Sequence, residues 1–357
     1  MSDRFQHLEL KTLKEIPFVA RISTVIPIGD GGFLVQYKDS SIISRFDSQF
    51  NLLWKKDIGI SLGKFDSFTA TVSADGNFIA VHGNSILRIM DKDGGLLHSR
   101  SHRPWASYQS SECYFSSGNT GRKSSILFFE PVQGGEGYLQ VLDGSNYSLA
   151  DSLPQEDMDN HYTFFSTPDE NKVFVELAAG QDDGRLLEIE FVDGEIIINE
   201  LDQCADRIMG SFSPNGEEFV TAPHYEEGIE IYSFPAIDKI ADLSQVELFQ
   251  GRDEYPAVQT DVLDYVVFYL SEKTLLAKTR FGRLLLIDRS SLKCAGELLL
   301  EGCKIVGYND KGESVSGGDD IFDYEGEIWE IKLLKPDHLL VLHTSNVIKI
   351  YQVPAGI

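Results

Sequence analysis

The sequence lacks long apolar runs. Nowhere in its 357 residues is there a stretch of about 18 apolar residues, the length that a membrane-spanning helix needs. Positive charge is also scarce: 31 Lys and Arg stand against 56 Asp and Glu, for a formal net charge of −25. A field of that sign repels nucleic acids and anionic membranes and attracts basic proteins. We therefore expect no nucleic-acid or membrane partner, and a basic protein partner.

Cysteine is rare, with four residues in the chain. They are widely separated and form no CxxC pair: Cys113, Cys204, Cys294 and Cys303. This spacing argues against a disulfide framework and against a zinc site. The first residues, Met1 to His7, lack the basic and apolar regions of a secretory signal. Buried or half-buried thiols in a reducing compartment are the simplest interpretation, so we expect a cytoplasmic protein.

Helical periodicity is also nearly missing, and an apolar–polar alternation of period two dominates instead. Strand-length runs such as Phe33–Tyr37, Phe78–Val81 and Ile86–Met90 are rich in β-branched and aromatic residues. Asp-Gly or Asn-Gly pairs bound most of these runs, and such pairs adopt the positive φ that tight hairpin turns require. The sequence therefore predicts an all-β protein built from antiparallel hairpins.

The strands recur as a four-stranded unit that repeats about every 51 residues. The clearest copies are Phe68–His98, Gly210–Tyr232 and Val25–Trp54. A four-stranded repeat of about 40–50 residues is the size of a β-propeller blade. Seven units fill the chain, so we predict one seven-bladed propeller domain over residues 1–357. The predicted blades span approximately residues 21–59, 66–101, 108–153, 160–202, 206–244, 258–302 and 325–352.

The two ends of the sequence suggest how the last blade is completed. The copy at 325–352 has only three strands, and a strand-like stretch, 5–12, precedes the first copy without a partner. A propeller leaves no open sheet edge, so we expect residues 5–12 to close the ring as the outer strand of the last blade. Residues 304–324 do not fit the repeat and form either an inserted hairpin or an eighth partial blade. Six or eight blades are the alternatives to seven.

Two turns resemble those of a known repeat family. Ser213-Pro-Asn-Gly216 and Ser73-Ala-Asp-Gly76 each lie between apolar strands, and they look like the Ser-Pro-Asp-Gly turn of WD40-like and YVTN-type propellers. The Gly-His and Trp-Asp dipeptides of true WD40 repeats are absent, so that family's Asp-His-Ser/Thr-Trp network cannot be assigned here. The resemblance implies the propeller fold and a tendency to bind other molecules, and it implies no particular activity.

Catalytic motifs are almost entirely lacking. The sequence has no GxxxxGK[ST] or GxGxxG phosphate loop and no HExxH. Gly59-Ile-Ser-Leu-Gly63 matches GxSxG, but no helix is expected after it, as a nucleophile elbow would require. We therefore predict a non-catalytic protein-binding scaffold without a cofactor. The alternatives are a metal-dependent hydrolase or lactonase, and a structural repeat within a larger assembly.

Carboxylates near the starts of the predicted inner strands supply the chemistry of the hydrolase alternative. They are Asp66, Glu112, Asp206, Asp264 and Glu327. Inner strands line the channel of a propeller, so these groups would converge on one channel mouth, where converging oxygen ligands suit Ca²⁺. With 56 acidic residues in the chain, placement by chance in solvated turns is the competing interpretation.

Three histidines occupy related places in the repeat. His82 and His343 follow the second strands of their blades, and His224 lies slightly further on. Imidazoles near a channel mouth could take a metal or act as bases. Repeat geometry, with each imidazole exposed or hydrogen-bonded, is the simpler interpretation.

One loop lacks the acidic residues that are abundant in the rest of the chain. Residues 100–108 combine two arginines, a histidine, a tryptophan and a tyrosine with no acid. Trp, Tyr and Arg are the residues that most often contribute binding energy at protein interfaces. We therefore predict a partner-binding site composed of Arg100, His102, Arg103, Trp105 and Tyr108. The alternative is that Trp105 packs under the neighbouring blade and the arginines pair with acidic groups.

Overall fold

The structure, a computed structural model, consists almost entirely of β-strands. It describes residues 6–60, 68–106, 109–116, 124–131, 137–155, 161–178, 184–192, 195–224, 228–249, 263–279, 282–303, 307–308, 314–315, 323–324, 328–354 and 357. Within these residues, seven sheets each contain four antiparallel strands. The fold is therefore a seven-bladed β-propeller, as the repeat predicts. No helix of the described part of the chain is long and apolar enough to cross a membrane.

The chain divides into two compact units, which we call the continuous unit and the split unit. The continuous unit is Ala20–Ala205, and the split unit is Met1–Val19 together with Asp206–Ile357. The split unit begins with two strands, β1 (Gln6–Leu10) and β2 (Thr12–Pro17). The assignment of the whole chain to one domain stays a prediction.

The continuous unit contains blades one to four. Blade one has strands β3 (Ile22–Pro27), β4 (Phe33–Tyr37), β5 (Ile42–Phe46) and β6 (Leu52–Asp57). Blade two has β7 (Thr69–Val72), β8 (Phe78–His82), β9 (Ile86–Asp91) and β10 (Leu96–Ser101). After the short β11 (Ser110–Ser111), blade three has β12 (Cys113–Ser116), β13 (Ser125–Pro131), β14 (Gly137–Asp143) and β15 (Leu149–Gln155). Blade four has β16 (His161–Ser166), β17 (Lys172–Ala178), β18 (Gly184–Val192) and β19 (Glu195–Glu200), followed by a 3-10 helix, Asp202–Cys204.

The split unit contains blades five to seven. Blade five has β20 (Arg207–Phe212), β21 (Glu218–Pro223), β22 (Ile229–Ser233) and β23 (Lys239–Leu243), followed by helix α1 (Gln245–Phe249). Blade six has β24 (Leu263–Ser271), β25 (Thr274–Thr279), β26 (Leu284–Asp288) and β27 (Lys293–Leu300). A small sheet follows, with β28 (Gly307–Tyr308), β29 (Ser314–Val315) and β30 (Asp323–Tyr324). Blade seven has β31 (Ile328–Lys335), β32 (His338–His343) and β33 (Val347–Gln352), and β2 is its fourth strand.

An N-terminal strand completes blade seven, as predicted, but its predicted bounds, 5–12, are wrong. The strand that pairs antiparallel with β33 is β2, whereas β1 runs parallel to β27 as a fifth strand of blade six. Only Lys11 separates β1 from β2, and both stretches alternate apolar and polar residues, so the pattern alone does not indicate which one closes the blade. Leu10 anchors β1 beside blade six, because its side chain is only 1% exposed and packs in the core shared by blades six and seven.

The described parts of residues 304–324, namely 307–308, 314–315 and 323–324, form a small sheet apart from the seven blades. β28 pairs antiparallel with β29, and β30 pairs with the other side of β28. Each of these strands has two residues, which is too short to contribute an inner or outer strand to a four-stranded blade. The described residues thus include the antiparallel pair that the hairpin alternative predicts, β28 with β29, and β30 adds a third strand to it.

The two turns that resemble propeller repeats have the same hydrogen bonds. In the first, the Ser73 hydroxyl donates to the Asp75 carboxylate at 2.6 Å, and in the second the Ser213 hydroxyl donates to the Asn215 side-chain oxygen at 2.7 Å. The glycine that follows has φ of 72° at Gly76 and 75° at Gly216, a conformation that disfavours residues with a Cβ. The serine and the glycine thus fix the hairpin that begins each of these blades.

Blades five and six are joined by a partly buried polar network as well as by apolar packing. The Arg289 guanidinium donates two hydrogen bonds of 2.8 Å to the Glu218 carboxylate, and the Tyr269 hydroxyl donates a third at 2.7 Å. Burial alone would raise the pKa of Glu218, but Arg289 and Tyr269 outweigh it and lower this pKa. The folded state therefore favours the ionised form of the Glu218 carboxylate.

We expect Glu218→Gln to lower the free energy of unfolding at pH 7 by about 1–2 kcal/mol, because it removes a charge-assisted pair that is partly shielded from water. A carboxyl group with a lowered folded-state pKa stabilises the fold above its unfolded pKa, about 4.3, and loses this effect as the pH falls through the folded value. The gap between wild type and variant should therefore shrink in acid. Urea unfolding at pH 7 and at about pH 3.5 measures it.

Glu217→Gln is the matched control, since Glu217 is exposed and next in sequence. It should leave the urea midpoint nearly unchanged. Equal loss in both variants at both pH values would mean that the network adds nothing to the stability of the fold.

Candidate functional site

Three of the five residues predicted to bind a partner contact other residues of the continuous unit: Arg100, His102 and Trp105. Arg100 is not in a loop but near the end of β10, and its Nη2 lies 3.2 Å from Oε2 of Glu130 on β13. This ion pair joins blade two to blade three. Arg103 is exposed, and Tyr108 lies outside the described residues.

Trp105 is buried, with 5% of its surface exposed. Its backbone N–H donates to the Asn84 carbonyl at 2.9 Å, and its ring packs in the core of blades three and four beside Phe129 and Tyr162. The structure therefore favours the alternative that the sequence left open, in which Trp105 packs under the neighbouring blade. A buried ring is not accessible as an anchor for a partner, because only its exposed surface could be desolvated on binding.

His102 is also turned inward. Its Nε2 lies 3.0 Å from Nε2 of His82, a buried residue at the end of β8. His343 is buried as well, 4% exposed, with its Nε2 3.4 Å from the Tyr351 hydroxyl. The Nδ1 of His224 lies 2.5 Å from the Asp206 carboxylate. Each of the three repeat histidines is thus hydrogen-bonded, as the simpler interpretation predicts.

Three of the five predicted metal ligands lie in the described part of the chain, and each of them contacts another group of the protein. The Glu112 carboxylate accepts a hydrogen bond of 3.3 Å from the Phe164 N–H, and Asp264 is paired with the Lys278 ammonium. Asp206, as noted, faces an imidazole. Asp66 and Glu327 lie outside the described residues. No three His, Cys, Asp or Glu side chains of the described chain form a group that could hold a metal, and the Ca²⁺ site stays a prediction.

Two large aromatic side chains on inner strands of the split unit are exposed. Tyr265, near the start of β24, is 50% exposed, and Trp329, near the start of β31, is 58% exposed. Sequence reasoning did not single out either one. Strand alternation gave no signal, because it would place Trp329 on the same face as the buried Ile331. An irregularity in pairing between Ile328 and Glu330 lets Ile328 and Ile331 both pack in the core and leaves Trp329 exposed.

The two aromatic residues occupy related places in neighbouring blades. Leu263, at the start of β24, pairs with Thr279 at the end of β25, and Ile328, at the start of β31, pairs with His343 at the end of β32. The two blades share one apolar core. Their inner strands therefore begin at the same edge of the split unit, and the aromatic residues lie at that edge.

A carboxylate and an imidazole lie beside the Tyr265 ring, and a second carboxylate lies at the start of blade five. Asp206 precedes β20, Asp264 precedes Tyr265, and the His224 ring centroid is 6.1 Å from that of Tyr265. We call this group the strand-start surface. It consists of the exposed rings of Tyr265 and Trp329, the partly exposed Asp206, His224 and Asp264, and the buried Lys278 that pairs with Asp264.

Comparisons with known proteins support the fold. The chain is similar to the WD40 domain of Neurospora crassa Pan2, at 10% identity and a TM-score of 0.61, with 98% of this chain and 96% of that one covered. It is similar to the β-propeller domain of Myceliophteria thermophila Cps50 (Swd1), at 13% identity and a TM-score of 0.58, with 96% and 100% covered. It also resembles BBS1N in a complex with ARL6DN, at 11% identity and a TM-score of 0.54, with 99% of both chains covered.

No protein-family model and no curated protein sequence matches the chain. The likeness is therefore one of fold: the chain has the architecture of WD40 and related β-propeller domains with a divergent sequence. Identities of 10–13% do not carry over any partner or activity.

Proposed function

We propose that the protein is a non-catalytic binding platform whose strand-start surface docks a basic segment of a protein partner. The observation that carries this proposal is the pair of half-exposed aromatic rings, Tyr265 and Trp329, at the edge of the split unit where the inner strands begin. Large exposed aromatic groups on a rigid β-scaffold are a common feature of binding surfaces.

The aromatic rings supply the short-range part of the interaction. The face of a Trp or Tyr ring attracts the guanidinium of Arg or the ammonium of Lys, and the interaction strengthens when water is displaced. Trp329 and Tyr265 can each offer such a face because about half of each side chain is already in contact with solvent.

The net charge of −25 supplies the long-range part. It attracts cationic proteins and speeds their association at low salt. Asp264 and Asp206 are already paired with Lys278 and His224, so their role is to orient the surface. The attraction comes from the acidic chain as a whole, and it should weaken as salt is added.

The comparison structures fit this proposal without specifying the partner. One of them is a propeller chain, BBS1N, that was solved in complex with ARL6DN, which is a case of this fold binding another protein. A propeller presents many loops and strand ends on a rigid frame, and such frames suit recognition.

We expect the double variant Tyr265→Ala with Trp329→Ala to lose affinity for its partner by about 30-fold, corresponding to about 2 kcal/mol for a hot spot. The measurement has two stages. Immobilised wild type first captures proteins from source lysate with elution by rising salt, and the affinity of the purified basic protein is then measured for each variant.

The matched control is Leu52→Ala with Leu53→Ala, because both leucines lie on the outer strand β6 and are 55% exposed. It should bind as wild type does. The exposed Arg103→Ala tests the loop predicted from the sequence in the same assay. Wild-type affinity in the aromatic double variant would show that the strand-start surface is not the binding site. Capture that does not depend on salt would show that the net charge does not contribute to binding.

A further inference from the structure

A cavity of about 300 Å³ lies between blades two and three of the continuous unit. Its lining residues come from the ends of β7, β12 and β14 and from the starts of the strands that follow them. An apolar cavity of about 150 Å³ can hold a benzene molecule, so this one has room for a small organic group. It shares no residue with the strand-start surface, which belongs to the split unit.

Three aromatic rings line this cavity. Phe78 and Phe115 are stacked, with ring centroids 6.4 Å apart at an interplanar angle of 26°, and Tyr147 is the third. Phe115 and Tyr147 pack against the apolar core that blades two and three share, whereas Phe78 is exposed. Two of the rings are therefore held in place by the fold itself, before any ligand binds.

One carboxylate lies among the rings. Asp75 is exposed, and its Oδ1 accepts hydrogen bonds from the Ser73 hydroxyl at 2.6 Å and the Asn77 N–H at 3.0 Å. These hydrogen bonds hold the pKa of Asp75 below its ordinary value, so the carboxylate is ionised at neutral pH. Among the described residues that line the cavity, none is Lys or Arg; the others are Ile126, four serines, an alanine and a glycine.

The group behind the Tyr147 ring is uncharged. The His98 ring stacks on it, with centroids 5.3 Å apart at an interplanar angle of 29°. Burial, with a contribution from Arg100, lowers the pKa of His98, so the imidazole is neutral near pH 7. The stacked histidine thus adds no positive charge that would oppose a cation on the other face of Tyr147.

We propose that this cavity binds an organic cation whose charge is covered by methyl groups, namely a quaternary or tertiary alkylammonium group. Aromatic faces attract such a cation, and several rings around it form the aromatic cages that recognise choline and methylated lysine. The ionised carboxylate adds an electrostatic attraction. A plain lysine ammonium fits less well, because it is a compact and strongly hydrated charge that has to lose its water to enter.

The first test is a titration of wild type with choline near pH 7.5, followed by proton NMR of the ligand. Choline should bind saturably with a Kd of about 1 mM or tighter, and the rings should shift its methyl resonance upfield. The neutral alcohol 3,3-dimethyl-1-butanol has nearly the same shape without the charge. It should bind at least about tenfold more weakly, because it lacks the attraction to the ring faces and to Asp75.

Asp75→Asn removes the charge and keeps the turn. Asn215 occupies the same place in the related turn of blade five, where its side-chain oxygen accepts hydrogen bonds from the Ser213 hydroxyl at 2.7 Å and the Glu217 N–H at 3.0 Å. The variant should therefore fold normally and bind choline about threefold or more weakly, with no change in its affinity for the neutral alcohol.

Phe115→Leu removes an aromatic face and keeps most of the apolar packing, so it should weaken choline binding at least about fivefold. Phe212→Leu is the matched control. Phe212 ends the inner strand of blade five and packs on Phe219 and Phe234, outside the cavity, so choline affinity should not change. Thermal unfolding of each variant confirms that the folded protein is being measured.

A methylated lysine of a protein presents the same group as choline. The tripeptide glycyl-trimethyllysyl-glycine and its unmethylated form, titrated in the same way, distinguish the two sources. Tighter binding of the methylated peptide than of choline would assign the cavity to a protein ligand, and the reverse order would assign it to a free small molecule. Either order supports the proposal, provided that the unmethylated peptide binds more weakly than the methylated one.

Three results would overturn the proposal. They are no binding of choline or the methylated peptide at about 10 mM, equal affinity for choline and the neutral alcohol, and wild-type choline affinity in both Asp75→Asn and Phe115→Leu. None of them would affect the proposed binding of a basic segment at the strand-start surface, which is tested with different variants.

Discussion

Removing residues 1–17 is expected to give a protein that aggregates and has no cooperative unfolding transition. The deletion removes β2, the fourth strand of blade seven, and β1, which covers the outer edge of blade six. It exposes the backbone donors and acceptors of β33 and β27, and unpaired edges of this kind promote association between chains.

The deletion also removes side-chain contacts. Leu10 is 1% exposed in the core of blades six and seven, and the Thr12 N–H donates to the Glu301 carboxylate at 2.9 Å. The lost strand pairing and burial should exceed about 5 kcal/mol, which is comparable with the total stability of an ordinary domain. Soluble yield and differential scanning calorimetry measure the effect.

A shorter deletion, residues 1–11, separates the two strands. It removes β1 but leaves β2 paired with β33, so the protein should remain soluble with a lowered Tm. A synthetic peptide of residues 1–19, added during refolding, should restore the transition of the longer deletion. A 1–17 deletion that is soluble and melts like wild type would show that the N-terminal strands do not hold blades six and seven together.

The blade repeat could be predicted because its causes are local. Strand alternation is read over four to six residues, and the turns at Ser73–Gly76 and Ser213–Gly216 depend on hydrogen bonds between residues two to five apart. Local causes of this kind are visible in one sequence.

The candidate site could not be predicted in the same way, because its causes are contacts between distant residues. Asp264 was identified as a metal ligand from its position, yet its partner, Lys278, comes from the next strand and supplies the positive charge itself. The exposure of Trp329 depends on which face of β31 the packing of blades six and seven covers. Composition cannot distinguish Trp329, which is exposed, from Trp105, which is buried.

Trp105→Ala is therefore expected to destabilise the protein by about 3–5 kcal/mol without acting on a partner directly. The ring packs with Phe129 of blade three and Tyr162 of blade four, and its removal leaves a cavity that these side chains can only partly fill. Urea unfolding should show a lower midpoint at an unchanged slope. Affinity for the basic partner, measured on the folded fraction, should equal that of wild type.

Trp105→Phe tests separately the contributions of the apolar ring and of its N–H group. Among the described residues, nothing accepts a hydrogen bond from the Trp105 Nε1–H, which is buried. An unpaired buried N–H costs about 1–3 kcal/mol, and phenylalanine removes that cost while keeping most of the apolar ring. The Phe variant should thus lose less than about 1.5 kcal/mol, well below the loss for Ala. If instead Trp105→Ala kept the wild-type urea midpoint and lost affinity, the ring would belong to the interface, and the loop at residues 100–108 would replace the strand-start surface as the binding site.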